Sequence, residues 1–266
     1  MDYQAMFGLA GKRAIACGST QGIGRACAMQ FARLGAAVTL IARREDALRQ
    51  VLTELPAVEG RYHHYVRADF TDPDSVAEAV RRHINDTGPV HILLNNSGGP
   101  PQGPIANAAP AAFLKAFRMH LVCNQLLAQA VLPGMKHANY GRIINITSIS
   151  LKEPIKSLGV SNTTRWAVAA WAKTLAGEVG RFGITVNNIL PGYTQTARMD
   201  EIIQARAAEA GVTPEAIRES MIAEVPLGRI GSPDETAAAV GFLASPAASY
   251  ITGINLPVDG GRAHAL

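Results

Sequence analysis

Short apolar runs alternate along this chain with longer stretches of helical spacing. The runs at 13–17, 37–42, 62–68, 91–95, 142–146, 184–189 and 255–258 read as strands. Between them, 24–34, 45–55, 72–85, 110–137, 161–182 and 233–244 place apolar residues at the three-to-four spacing of a helix. Strands that alternate with helices in this way predict a mostly parallel sheet covered on both faces. Ser161 is placed to cap the fifth of these helices.

One segment falls outside the rhythm. Residues 194–225 are rich in Ala, Glu and Arg and predict one or two exposed helices between two strand signals. An excursion at that edge of a sheet is where a lid over a ligand would lie. No Pro/Gly/Ser-rich linker and no internal repeat divides the chain, so the pattern predicts one domain over 1–266, with 194–225 as its lid insertion.

Composition narrows the function classes. The 266 residues are 48% hydrophobic and 17% charged, which permits a sizeable core and argues against disorder. The net charge of +4 is spread along the chain without a Lys/Arg tract, which argues against nucleic acid as a partner. The three cysteines, Cys17, Cys27 and Cys123, show no metal spacing and sit in apolar surroundings. They read as buried free thiols in a reducing compartment, and no metal is expected. No apolar run approaches the span of a membrane helix, and residues 1–12 lack a signal pattern, so a cytoplasmic location is expected.

Three stretches carry chemistry. In "ACGSTQGIGRA", Gly18, Gly22 and Gly24 lie between the first strand and the first helix. Gly18 permits a tight turn, Gly22 close approach of a pyrophosphate, and Gly24 close packing of helix on sheet, with Ser19, Thr20, Gln21 and Ile23 between them. The helix N-terminus then turns its unpaired N–H groups to the phosphates. In "LIARRED", the end of the second strand carries Arg43 and Arg44 where an acid would select the ribose hydroxyls of NAD. Two arginines favour a 2′-phosphate, so NADP(H) is the expected cofactor. In "GVSNTTRWAV", the polar positions Ser161, Thr164 and Arg165 do not titrate near neutral pH.

From Leu9 to Gly261 the chain resembles the short-chain dehydrogenase/reductase family. The likeness rests on the glycine motif and on "RADFTD", "LLNNSGG", "GRIINITSIS", "ITVNNILPGYTQTARM", "PLGRIGSPDETAAAVGFLAS" and "YITGINLPVDGG". It implies a doubly wound Rossmann-like sheet of seven parallel strands, with the dinucleotide at their C-terminal ends. It also implies hydride transfer between nicotinamide and an alcohol or carbonyl, as in 3-oxoacyl-thioester reductases. By this resemblance Asp69 and Phe70 lie at the adenine, and Asn95, Ser97 and Gly98 line the adenosine and pyrophosphate path. Pro191, Gly192, Thr194 and Thr196 flank the nicotinamide.

The family works with a Ser, a Tyr, a Lys four residues after the Tyr, and often an Asn. Here the Ser place is Ser148, the Tyr place is Ser161, the Lys place is Arg165 and the Asn place is His120. A serine hydroxyl is a much poorer acid than a phenol, and Arg165 keeps its charge while still able to bind ribose. His120, with an ordinary pKa of about 6.5, is a candidate proton donor. Tyr193 is expected to wall the pocket. The favoured reading is an atypical NADP(H)-dependent carbonyl reductase or alcohol dehydrogenase. A protein that binds NADP(H) without redox work, and a non-redox lyase or isomerase with Arg165 anchoring an anion, stay open beside it. The helices at 110–137 and 161–182 carry Phe117, Leu121, Val131, Trp166 and Trp171 on more than one face, and the resemblance implies a dimer or tetramer.

Overall fold

The computed structural model describes residues 3–265; Met1, Asp2 and Leu266, which the expected domain includes, lie outside the described residues. The strands are β1 (Arg13–Cys17), β2 (Ala37–Ala42), β3 (His64–Arg67), β4 (Ile92–Asn95), β5 (Gly141–Ile146), β6 (Ile184–Pro191) and β7 (Asn255–Val258). They form one sheet of order β3-β2-β1-β4-β5-β6-β7, parallel throughout. Residues 62–63, expected at the start of β3, stay outside it. That edge strand pairs with β2 alone, and His64 and Arg67 face solvent.

Alternation along the strands builds two cores. Ala14, Ala16, Ile92, Leu94, Ile144 and Ile146 point to one face, and Ile15, Cys17, Leu93 and Ile143 to the other. The first face is covered by α2 (Gly22–Arg33), α3 (Glu45–Glu54) and α10 (Pro233–Ala244). The second is covered by α4 (Pro73–Thr87), α6 (Cys123–His137) and α7 (Gly159–Val179). A short α1 (Tyr3–Phe7) precedes β1. Burial on both sides explains why the central strands read as continuous apolar runs. Cys17, Cys27 and Cys123 are free and buried, as their apolar context suggests.

The expected helix over 110–137 is interrupted. It runs as α5 (Pro110–Phe117), a π-helical turn over Arg118–Val122, and then α6. Of the five apolar residues expected to mark an association face, Val131 is in the core and Trp171 packs against it. Only Trp166 is exposed, joined by Leu114 and Val122.

A ladder of amides crosses the C-terminal half of the sheet. Asn95, Asn145, Asn188 and Asn255 are in register on adjacent strands. Each Nδ2 donates to the next Oδ1 at 2.8 Å. The first two of these bonds are buried and contribute about 1 kcal/mol each, the third lies part-buried at the sheet edge, and a slip by one residue would strand the buried amides among apolar neighbours. The strand order reverses between β1 and β4, and loops on either side of such a switch point diverge to leave a crevice. Among the described residues no helix is long and apolar enough to cross a membrane.

Candidate functional site

A cleft of about 980 Å³ opens at the C-terminal ends of the strands, across the switch point. Its floor is the turn from β1 to α2. Gly18 and Gly22 hold φ of +60° and +54°, in the left-handed region that side-chain-bearing residues rarely adopt. A Cβ on Gly24 would overlap the Gly18 carbonyl oxygen and the Asn96 amide, so this helix start can come close to the strand only without a side chain. Gln21, which precedes α2, makes no side-chain cap. The first-turn N–H groups of α2 therefore keep their donors for a ligand, and Gly22, Ile23 and Gly24 line the cleft. This cradle fits a pyrophosphate.

Asn96 holds that cradle. Its Nδ2 donates to the carbonyls of Cys17 and Gly18 at 3.2 and 3.4 Å. Asn95, the residue expected here, instead starts the amide ladder and does not line the cleft. Strand alternation is the reason: neighbouring residues of β4 and its extension point to opposite sides. Ser19 is fully buried, with its N–H and hydroxyl on the Ile41 carbonyl, and it too stands behind the cleft wall. Thr20 and Gln21 line the cleft as expected.

Arg43 and Arg44 line the cleft beyond β2 and are exposed. Neither forms an ion pair among the described residues, so both guanidiniums are available to an anion. Asp69 and Phe70 form the opposite wall, with Asp69 Oδ1 accepting from Thr71 N at 2.9 Å. Ser97 and Gly98 continue the wall.

At the other end, Ser148 follows β5 and lines the cleft, and its Oγ accepts from Ser150 N at 3.1 Å. Ser161 and Arg165 lie four residues apart on α7 and so share one face, which is turned to the cleft. Ser161 does not cap this helix. The helix starts at Gly159, and Ser161 sits in its first turn with no protein hydrogen bond among the described residues. The reason is tertiary: Gly159 lacks a Cβ that would overlap Ile105, so the chain can turn into helix two residues early.

Arg165 Nη1 donates to the Ile146 carbonyl at 2.6 Å, and no carboxylate of the described residues pairs with it. Burial pushes its pKa down to about 10, which leaves the guanidinium charged at neutral pH. His120 lies behind the wall, in the π-helical turn, with Nδ1 2.8 Å from Ser97 Oγ and a buried Nε2 that has no partner. Burial, and then the Arg165 charge, push its pKa down to about 3. His120 is therefore neutral near pH 7 and holds no acidic proton of the imidazolium kind.

That shift has a consequence for stability. Folded His120 stays neutral down to about pH 3, whereas in the unfolded chain it takes a proton below about 6.5. Over that window the unfolded state binds more protons, so acidification favours unfolding by up to about 1.4 kcal/mol per pH unit. His120→Asn is expected to remove this slope. Urea denaturation between about pH 7 and pH 5 checks it, and equal pH dependence in wild type and variant would contradict it.

Pro191, Gly192 and Thr196 line the cleft at the end of β6, where a Cβ on Gly192 would lie 2.7 Å from Asp259 Cα. Thr194 is buried, donates to the Gly192 carbonyl at 3.3 Å and lines a neighbouring hollow instead. Above them stand α8 (Ala197–Ala210) and α9 (Pro214–Ala223), two helices where one or two were expected within 194–225. Their base is tied shut by Gln195 N to Gly231 O and Gly231 N to Tyr193 O, at 2.8 and 3.0 Å. Tyr193 walls the cleft, and its hydroxyl donates to Glu224 Oε2 at 2.8 Å.

Sequence reasoning missed Asn96, the apolar Met119, Ile155, Leu158, Ile202 and Met221, and the cations Arg206 and Arg262. For the cleft-facing side of α8 the usable signal was the helical spacing of Arg198, Ile202 and Arg206.

Comparison with known proteins agrees with this fold. Residues 18–263 match a family model described as enoyl-(acyl carrier protein) reductase. The chain is 34% identical over 260 residues to the 3-oxoacyl-(acyl-carrier-protein) reductase FabG of Pseudomonas aeruginosa, covering 95% of this chain and 98% of that relative. It is 30% identical over 261 residues to gluconate 5-dehydrogenase of Gluconobacter oxydans, covering 98% of each. The crystal structure of L-sorbose reductase from Gluconobacter frateurii, complexed with NADPH and L-sorbose, superposes with a TM-score of 0.91 at 32% identity. That match covers 98% of this chain and all of that one. The chain belongs to the short-chain dehydrogenase/reductase family of oxidoreductases.

Proposed function

We propose that this protein is an NADP(H)-dependent carbonyl reductase or alcohol dehydrogenase that works without a Tyr–Lys pair beside Ser148. The observation that supports it best is one continuous cleft. Arg43 and Arg44 line one end, the glycine cradle its middle, and Ser148, Ser161 and Arg165 the other. The L-sorbose reductase structure, a relative of the same fold, is complexed with NADPH.

In this reading the α2 N-terminus and Gly22 take the pyrophosphate, Arg43 and Arg44 the 2′-phosphate, and Arg165 the nicotinamide ribose. The chemistry that NADPH would supply in this site, when bound, is a hydride for a substrate carbonyl. The Ser148 hydroxyl donates a hydrogen bond to the carbonyl oxygen and fixes the face presented. The Arg165 charge stabilises the negative charge that develops on that oxygen, and burial strengthens the effect. Ser161 Oγ, free of protein partners, holds a water that gives the proton. The Tyr193 hydroxyl is engaged by Glu224 and stays a wall. The α8–α9 hairpin is the substrate lid. Self-association through exposed Leu114, Val122 and Trp166 and a reducing, cytoplasmic setting for the buried thiols complete the reading.

The test is consumption of NADPH with ketones, quinones and acyl thioesters, run beside NADPH binding by fluorescence. Turnover of at least one class is expected. Tight binding with no turnover of any would overturn the catalytic part and leave a protein that binds NADP(H).

A further inference from the structure

The substrate end of the cleft carries more cations than cofactor binding uses. Arg198, Ile202 and Arg206 stand at i, i+4 and i+8 on one face of α8, and all three line the cleft. Arg262 reaches in from the C-terminal tail, and Arg165 from α7. The one carboxylate side chain among the lining residues is Asp69, at the opposite end.

Two of these charges are already met. Arg198 pairs with Glu201 at 3.1 Å. Arg262 pairs with Glu224 at 2.8 Å and lies 3.8 Å from the centre of the Tyr193 ring. Arg206 acts as a hydrogen-bond partner of the Tyr193 hydroxyl and feels Glu224 through its field. No carboxylate of the described residues lies within 4.0 Å of Arg206. A half-buried guanidinium aimed at a ligand cleft without a counter-ion is a ready fork for a planar anion. Ile155, Leu158, Ile202 and Met221 line the same cleft, and they suit an apolar body better than a polyol.

We propose that the substrate is an oxo- or hydroxy-acid in which an apolar body joins the reacting carbon to a carboxylate, and that Arg206 of the lid holds that carboxylate. The assignment rests on the reading of Ser148, Ser161 and Arg165 as the reacting end. Arg165 is taken by the reacting end in this reading, so Arg206 is the one guanidinium left for a distal group, and a single charge matches a carboxylate better than a phosphate. The lid would then close on its own substrate's charge, since Arg206 belongs to α8.

Two readouts separate this proposal from the catalytic one. The first is calorimetry on the NADP⁺-saturated protein with 4-phenylbutanoate, 4-phenylbutanamide and 2-phenylethyl phosphate, none of which is a carbonyl substrate for reduction. The carboxylate is expected to bind about 30-fold more tightly than the amide. The second is turnover of 4-oxo-4-phenylbutanoate against its methyl ester, with a similar ratio of kcat/KM. Arg206→Met is expected to collapse both ratios to near one, and Arg206→Lys to restore part of each. Thermal melting confirms that the variants fold.

Equal binding of acid and amide by the wild type, or an unchanged ratio in Arg206→Met, would overturn the proposal. Tighter binding of the phosphate than of the carboxylate would overturn it as well. Selective binding of the carboxylate with no turnover of any oxo-acid would support the site while overturning the proposed reduction.

Discussion

Ser161→Tyr combined with Arg165→Lys is expected to raise carbonyl reduction by about 10²-fold or more, the contribution of a positioned general acid. The two positions are four apart on α7, share the face that lines the cleft, and stand beside Ser148. A phenol at 161 has an ordinary pKa of about 10, and an ammonium one helical turn away would draw it toward the working pH. The Ser161 hydroxyl makes no protein bond, so nothing but solvent is displaced by the larger ring. Ser161→Tyr alone should gain less, because the Arg165 guanidinium stays tied to the Ile146 carbonyl at 2.6 Å. Arg165→Lys alone should lose activity, since it shortens the donor fork without supplying an acid. Steady-state rates on one ketone, with NADPH saturating, decide the matter. Wild-type rates equal to those of the double variant would mean that the chain already has an efficient proton route. His120 could supply it only as a neutral ring, because its imidazolium does not form above about pH 3.

How far the sequence foretold this site depends on which force set each feature. All seven expected strands are present, and the central ones stand closest to the apolar runs, because burial on both faces leaves a signal that no single contact can erase, whereas the edge strand β3 is shorter than the expected 62–68. The glycine turn was equally legible, since Gly18, Gly22 and Gly24 each answer a backbone requirement. Features set by contacts distant in sequence were not. Asn95 and Asn96 look alike in "LLNNSGG", and only the register of Asn145 on the next strand sends one to the ladder and the other to the cradle. The start of α7 is decided by Ile105 against Gly159, more than fifty residues apart, so Ser161 stands inside the helix and not at its cap, although its side of the helix was expected to face the site. The π-helical turn that carries His120 has no mark in an apolar pattern that runs on through it. The helices α8 and α9 were legible in composition, whereas the pairing of Glu201 and Glu224 with Arg198 and Arg262, which leaves Arg206 without a carboxylate within 4.0 Å among the described residues, was not.

Replacing both Arg43 and Arg44 with Ala is expected to weaken NADPH binding by about 10²-fold while changing NADH binding little. A charge-assisted hydrogen bond is worth about 1.5–3 kcal/mol. Both guanidiniums are exposed, so the lower end applies to each, and the pair together amounts to about 3 kcal/mol, or about 10²-fold. Neither arginine forms an ion pair among the described residues, so their removal leaves no carboxylate without its partner and should not unfold α3. The loss must therefore fall on the ligand that carries the extra phosphate. Salt provides an independent check, because exposed charges are screened over about 10 Å at 0.1 M ionic strength. Added salt should weaken wild-type binding of NADPH more than of NADH, and the double variant should treat the two alike. The single variants apportion the effect, since the arginine whose fork meets the phosphate should carry most of it. Equal losses of NADPH and NADH in the double variant would place the arginines on the shared part of the dinucleotide. The 2′-phosphate would then no longer account for their position at the end of β2.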